Sequence, residues 1–378
     1  MELIISKRNF LRGLERTHGV ADRKSSMPIL SNILLTTEDT GTLRFAATDL
    51  YLGVTATSPA EVKKGGSVAV AARTLFDIVK NLPEGDVHWT VGPNYAAEIR
   101  CGKVRFRIPG MPGDDFPPLP TPGRAEFVSI DADVLGDLAA KTSYSMSTDD
   151  TRPHLAGALF EGEGRIARMV TTDGHRLSKA DHRLREGLML NFSMLIPAKG
   201  IMELRRLIDQ AKADKSSKED GPLQIDVASQ AGNAFFKREG VMLSVKLADE
   251  QFPPYAKVIP QGQDKRVVVS RTLMMEALKR MMLVSGDKSG GVRLMISPGS
   301  LRLVSESPDI GEGSEELDVD YAGAALTIGF NAKYINEVLG ALSDDEVAFE
   351  LAGELDPGVI KPAGEQTLFV GVIMPMRI

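Results

Sequence analysis

The sequence predicts an α+β chain built from three repeated domains, each with two helices on antiparallel sheets. Three observations carry that prediction. The first is a stretch that occurs three times: Ala72-Arg73-Thr74-Leu75-Phe76-Asp77-Ile78, Ala198-Lys199-Gly200-Ile201-Met202-Glu203-Leu204 and Ala332-Lys333-Tyr334-Ile335-Asn336-Glu337-Val338. Their cations lie 126 and then 134 residues apart, the spacing of a duplicated domain, whereas solenoid repeats run at roughly 20–50 residues. The second is that each copy follows a short apolar run (Val68-Ala69-Val70, Leu195-Ile196, Ile328-Gly329-Phe330), so it reads as strand, tight turn and amphipathic helix. The third is a duplicated exit, Phe116-Pro117-Pro118 and Phe252-Pro253-Pro254, where Pro cannot donate to a sheet ladder and a strand must stop. The domains are expected at 1–124, 125–262 and 263–378.

Taken in order, the chain opens with a strand, Leu3-Ile4-Ile5, and Ser6 as a helix cap. Phe10, Leu11 and Leu14 then fall at helical spacing, with Lys7, Arg8, Arg12 and Arg16 off that face. Ile130-Asp131 with Val134, Leu135 and Leu138 repeats this opening, and Val269-Ser270 with Leu273, Met274, Ala277 and Leu278 repeats it again. Strands are expected between the helices at 33–37, 43–49, 51–54, 158–160, 166–173, from Leu177, 292–296 and 301–306, and after the mid-domain helix at 87–91 and 104–108. The polar run Ala213–Asp220 reads as a mobile loop. The apolar end, Val370–Ile378, is a last strand tied into a sheet, the lining of a pocket, or both. Met274-Met275 and Met281-Met282 read as core packing.

Composition is that of a soluble globular chain, 43% apolar and 25% charged. No apolar run reaches the ~18 residues of a membrane helix, the N-terminus lacks signal-peptide order, and Cys101 is the single cysteine. A reducing cytoplasm without membrane contact is expected. Net charge is −6, but six candidate helices (6–20, 71–82, 131–146, 197–212, 270–285, 331–342) hold 15 Lys and Arg against 9 Asp and Glu. Charge segregated in this way fits one basic surface set in an acidic body, and it also fits ordinary solvated helices.

No phosphate-binding Gly-rich loop, CxxC, HExxH or GxSxG is present. The one cluster suited to chemistry is Thr172-Asp173-Gly174-His175-Arg176, where Asp173 and His175 could serve as metal ligands or an acid–base pair. The same residues also suit a tight turn with exposed polar side chains. The first domain has Thr48-Asp49-Leu50-Tyr51 at the matching place, so Thr-Asp is partly scaffold and Gly174-His175-Arg176 is particular to the middle domain. A binding surface, a hydrolase or metal enzyme, and a scaffold without nucleic acid all remain open at this point.

Six segments, in order, resemble the bacterial DNA polymerase III beta subunit family, the replication sliding clamps. They are Met27-Pro28-Ile29-Leu30-Ser31-Asn32, Ala47-Thr48-Asp49-Leu50, Thr172–Leu177, Gly291-Val292-Arg293-Leu294, Ile328-Gly329-Phe330-Asn331 and Met374-Pro375-Met376-Arg377-Ile378. The resemblance implies non-catalytic DNA-clamp domains, no cofactor, and a head-to-tail homodimeric ring around double-stranded DNA, met through its backbone and so without sequence preference. It implies DNA contacts at Arg23 and Lys24, with Arg73, Lys80, Lys199, Arg205 and Arg206 as candidates from the helices. For the dimer it implies Phe106 and Ile108 facing Leu283 and Val284, while Lys103, Arg105 and Arg107, alternating along the strand, form a basic edge expected to meet the acidic stretch Glu306, Asp309, Glu312, Glu315 and Glu316 of a second copy. It also implies a peptide-binding pocket for the polymerase alpha subunit, the clamp-loader delta subunit and other proteins carrying clamp-binding motifs. The lining carries over as Leu155, Thr172, Gly174, His175, Arg176, Leu177, Pro253, Lys257, Val258, Asn331, Tyr334, Val372, Met374, Pro375, Met376 and Arg377. Lys257 and Ser289 depart from some relatives at the rim, and Asp149 and Pro153 depart at a DNA contact.

Overall fold

The computed structural model describes residues 1–22, 24–39, 41–149, 151–214, 221–285, 290–364 and 368–377. Arg23, Ser289, Ile378 and residues 215–220 of the expected polar loop lie outside the described residues. Within them are six α-helices: α1 Lys7–Thr17, α2 Ala72–Lys80, α3 Ala132–Thr142, α4 Ala198–Asp214, α5 Arg271–Met282 and α6 Ala332–Gly340. Each answers one of the six candidate stretches, and α2, α4 and α6 all begin at the repeated Ala. The local reason is visible at two of the six N-termini. Ser6 accepts a hydrogen bond from the Asn9 amide, and the Asn331 side chain accepts from Lys333 and Tyr334, satisfying amides that the first turn leaves unpaired.

One expectation is corrected here. Ala213 and Asp214 belong to α4 rather than to a loop. Asp214 is held there by Arg12 at 3.0 Å and Arg16 at 2.5 Å. Burial works against its charge, yet the two guanidinium groups outweigh it and hold its carboxyl below the usual range.

Compactness divides the chain into two units, residues 1–133 with 202–247, and residues 134–201 with 248–378. Each unit draws on two sequence repeats because strands from successive repeats share a sheet. In the first unit a nine-stranded sheet runs Gly110–Pro112, Ser67–Ala71, Asn32–Thr37, Thr42–Thr48, Leu52–Pro59, Val241–Lys246, Asn233–Arg238, Gln224–Gln230, Val128–Asp131. Its joint pairs Leu52–Pro59 with Val241–Lys246, with Val54 opposite Leu243 and Gly53 opposite Ser244. A five-stranded sheet, Glu61–Lys64, Glu2–Ser6, Asp86–Val91, Ala97–Cys101, Val104–Ile108, completes the unit. Phe10 of α1 packs against Phe45 and edge-on against Trp89, with centroids 5.9 and 5.7 Å away. Gly13 makes that approach possible, since a Cβ there would lie 2.4 Å from the Phe45 ring.

The second unit repeats the arrangement. Its eight-stranded sheet runs Leu190–Pro197, Gly157–Gly164, Ile166–Thr172, Arg176–Arg183, Phe369–Ile373, Gly358–Pro362, Glu346–Leu351, Lys265–Ser270. The joint pairs Arg176–Arg183 with Phe369–Ile373, placing Ser178 opposite Gly371 and Leu177 opposite Val372. The first part of the apolar C-terminal run, up to Ile373, is therefore an interior strand. A four-stranded sheet, Gly311–Asp318, Ser300–Ser307, Gly291–Ser297, Leu326–Asn331, lies under α5, whose Met274, Ala277, Leu278 and Met281 are buried.

Candidate functional site

The Thr172–Arg176 cluster is a tight turn. The Thr172 hydroxyl donates to the Arg176 carbonyl at 2.6 Å and accepts from the Gly174 amide at 3.1 Å. Asp173 Oδ1 accepts from the amides of His175 and Arg176, at 2.9 and 3.0 Å. Gly174 has φ 91°, which favours glycine. The first repeat makes the same bonds at Thr48, Asp49, Tyr51 and Leu52, with Leu50 at φ 75°. Thr-Asp is thus shared turn architecture.

What differs is the residue that follows. Arg176 is 8% exposed, and its guanidinium donates to Asp173 at 3.0 Å, to Glu337 of α6 and to the Tyr144 carbonyl at 2.5 Å. It lies over the Tyr334 ring at 4.3 Å and beside Tyr144 at 5.5 Å. Burial pushes the Tyr144 hydroxyl up to about 12, against the hydrogen bond that Ser178 donates to it. A buried cation with two carboxylates and two rings is held in a fixed place. Asp173 has both oxygens engaged inside this assembly.

Above Arg176 opens a hollow of about 240 Å³. Leu155, Thr172, Gly174, Arg176, Leu177, Pro253, Val258, Val372 and Met374 line it, together with His154 and Tyr255. The surface they offer is mainly apolar, suited to aliphatic and aromatic side chains. The remaining expected lining residues stand outside its wall. His175 is exposed at the turn tip, and Lys257 is exposed on the short Tyr255–Lys257 turn. Asn331 caps α6, and Tyr334 lies behind Arg176. Pro375, Met376 and Arg377 continue past the hollow, with the Met374 amide bonded to the His175 carbonyl and the Met376 amide to the Gly329 carbonyl, each at 2.9 Å. His154 and Tyr255 were not expected there. The signal for Tyr255 was its place in the duplicated Pro exit; for His154 there was none.

The basic positions are more engaged than their count suggests. Lys24, Arg73, Lys80, Lys199 and Arg205 are exposed. Arg73 is paired with Asp77 at 2.8 Å, and Arg73 and Lys80 both approach the Phe76 ring at 5.7 Å. Arg206 donates to the Glu15 carbonyl at 2.6 Å. His18 stacks on Phe76 at 4.0 Å, and its burial lowers its pKa.

On the Val104–Ile108 edge strand Arg105 and Phe106 are exposed, as is Lys103 in the turn before it, while Ile108 is buried in its own unit. Leu283 is 75% exposed and Val284 half-buried at the end of α5. The acidic stretch is partly neutralised from within: Arg280 donates to both oxygens of Glu315, at 2.6 and 2.7 Å, and Arg293 donates to Glu306 at 3.2 Å.

Repeated two-helix units fused through their sheets, with an apolar hollow at one joint, define a clamp-type repeat protein. Three family matches run in tandem: the DNA polymerase III beta subunit N-terminal domain over residues 1–120, its central domain over 129–254 and its C-terminal domain over 256–377. The chain is 32% identical over 385 residues to the beta sliding clamp of Caulobacter vibrioides and 33% identical over 380 residues to that of Escherichia coli, with 100% of both chains covered in each case. Its fold matches the crystal structure of the DNA polymerase III subunit beta from Pseudomonas aeruginosa with a TM-score of 0.92 at 31% identity, again over 100% of both chains. The chain belongs to the DNA polymerase III beta subunit family.

Proposed function

We propose that this protein is a DNA sliding clamp, a cytoplasmic, non-catalytic processivity factor. In this reading three clamp domains, 1–124, 125–262 and 263–378, join head to tail with a second copy and close around duplex DNA. Phosphates are met by Arg23, Lys24, Arg73, Lys80, Lys199, Arg205 and Arg206, loosely enough to permit sliding. The hollow above Arg176 receives short apolar segments of its partners, among them the polymerase alpha subunit and the clamp-loader delta subunit.

One observation carries the ring. Both internal joints pair the same two kinds of strand, the third of a repeat's first sheet and the last of its second sheet. One strand of each kind is left over: Gly311–Asp318 in the second unit and Val104–Ile108 in the first. The ladders also fix a register. Ala47, Thr171 and Ser305 are equivalent and face Val54, Ser178 and Gly313. Ile99, Phe236 and Ile360 are equivalent and face Phe106, Leu243 and Gly371. Val54 faces Leu243 and Ser178 faces Gly371, so Gly313 should face Phe106 of another copy. That register puts Arg107 opposite Glu312, and Phe106 over a bare position flanked by Val284 and Met281, 3.1 and 3.5 Å from where a Cβ would be. Charge and size both match, and a shift of one residue would turn every side chain to the wrong face.

Arg107→Cys with Glu312→Cys tests this. Directly opposed residues of an antiparallel pair lie about 4.5–5.5 Å apart at Cα, within disulfide reach. Oxidation should give a covalent dimer that stays on circular duplex, and leaves linear duplex, during gel filtration at about 1 M salt, where phosphate contacts fail. Equal loss from both DNA forms, or no cross-link, would overturn the reading.

A further inference from the structure

We infer that Tyr255 is a positioning residue for the hollow, pinned through its hydroxyl to a row of charged side chains on the sheet, and that this pin sets the affinity for an apolar peptide. The inference rests on the reading of the hollow as a peptide site.

The sheet face under Tyr255 changes character along its strands. Thr172, Leu177 and Val372 form one cross-strand row, at the hollow. Two residues further along each strand lies the row Leu159, Val170, Lys179 and Val370. Two residues further again lies Glu161, Arg168 and Asp181, acid, base and acid side by side. Tyr255 spans this gradient. Its ring packs against the apolar cluster of Leu159, Val170, Leu177 and Val372, with the Phe252 ring 6.4 Å away. Its hydroxyl reaches the charged row, donating to Glu161 at 2.7 Å and accepting from Arg168 at 3.2 Å.

The charged row is itself fixed. Arg168 donates twice to Asp181, at 2.8 and 3.2 Å, and Lys179 donates to the same carboxylate at 2.8 Å. Burial and the bond to Glu161 push the Tyr255 hydroxyl up to about 12, so it keeps its proton at neutral pH. A paired charge network of this kind gives a hydroxyl one defined seat, and bonds to charged groups are the stronger ones.

The consequence reaches the hollow through chain geometry. Tyr255 opens the short turn Tyr255–Lys257, with Pro253 and Val258 on either side of it, and both of these line the hollow. The wall they form therefore depends on one tyrosine clasped at both ends, ring on the apolar row and hydroxyl on the charged row. Loosening the hydroxyl leaves the ring on the apolar row but frees the wall to move, which lowers the preorganisation of the site.

The test is a double-mutant cycle on the full chain, read by fluorescence anisotropy with a fluorescein-labelled hexapeptide carrying adjacent leucine and phenylalanine. Tyr255→Phe keeps the ring and should weaken binding about tenfold, the scale of one hydrogen bond to a charged group. Glu161→Ala should weaken it similarly, and Glu161→Gln, which retains an acceptor, should restore most of the affinity. In the Glu161→Ala background, Tyr255→Phe should cost clearly less than in the wild type, because both changes remove the Tyr255–Glu161 bond and only the longer contact with Arg168 is left to lose. Sedimentation and thermal melting of each variant check that dimer and fold survive. Wild-type affinity in Tyr255→Phe, or fully additive losses, would overturn the inference while leaving the peptide site standing. A wild-type chain that fails to bind the peptide would overturn the site itself.

Discussion

Phe106 offers the sharpest quantitative test of ring closure, because a large part of its ring is left uncovered in its own unit. It is 41% exposed, while Ile99, its partner on the neighbouring strand, is fully buried. A phenylalanine side chain offers about 200 Å², so about 80 Å² of it remains to be covered. At about 25 cal/mol per Å² that area contributes about 2 kcal/mol to each joint. A ring of two copies has both joints, so Phe106→Ala should remove about 4 kcal/mol, about a thousandfold in the dimer dissociation constant. The partner surface supports the assignment, since Leu283 is 75% exposed and Gly313 leaves room beside Val284. Sedimentation velocity across a dilution series reads the constant directly, and a single cooperative melt at monomer concentrations shows that the fold is intact. A dissociation constant within about threefold of wild type, far short of that estimate, would refute the assignment of Phe106 to the joint. Glu315 is a weaker lever than its charge suggests, because Arg280 already holds it, and rim pairs contribute only about 0–1 kcal/mol.

Other outcomes follow from the same structure. A chain ending at Ile373 should lose binding of the labelled hexapeptide by anisotropy, because Met374 leaves the hollow, but should sediment as the dimer. Arg176→Met should lower stability by about 3–5 kcal/mol, since Asp173 and Glu337 lose their buried partner; urea titration reads it. Lys80→Ala and Arg205→Ala should each reduce the slope of log affinity for duplex against log salt by about 1, uniformly across DNA sequences. Tyr144 should make the chain alkali-sensitive. Its folded pKa of about 12 lies above the ordinary tyrosine value of about 10, so the unfolded chain releases its proton first. The stabilisation is complete below pH ~10 and is lost, up to about 3 kcal/mol, as pH rises through the folded value. Urea midpoints from pH 9 to 11 should fall more steeply for wild type than for Tyr144→Phe.

Much of the fold was legible because its signals are local. The repeated Ala marks the start of α2, α4 and α6, and Ser6 and Asn331 act as caps in the ordinary way. The fusion of repeats into shared sheets was not legible. Gly53 meets Ser244 across 191 residues of chain, and no pattern in either strand names its partner. Asp214 was misread for a related reason: in isolation it is one polar residue in a polar run, and only Arg12 and Arg16, some two hundred residues away, give it a place. The hollow was half legible. Its apolar floor came from the terminal strand and the Thr-Asp turn, whereas Tyr255 depends on a charged row whose members lie on three different strands.

The repeat also shows how the two joints differ at the place where the second carries the hollow. At the second joint the floor is Leu177 against Val372, a bulky pair. At the first the same row is Gly53 against Ser244, and a Cβ on Gly53 would come within 2.6 Å of the Ser244 hydroxyl and 3.0 Å of Leu119. Leu119 stands three residues after Phe116 as Tyr255 stands three after Phe252. It has no hydroxyl to hold it outward, and it packs into the cluster of Ile29, Leu30, Ala46, Ala69 and Phe116. A small floor with a collapsing leucine fills its own space. A bulky floor under a tyrosine anchored at its far end keeps that space open. Divergence at these few positions turns a structural joint into one with an open apolar hollow.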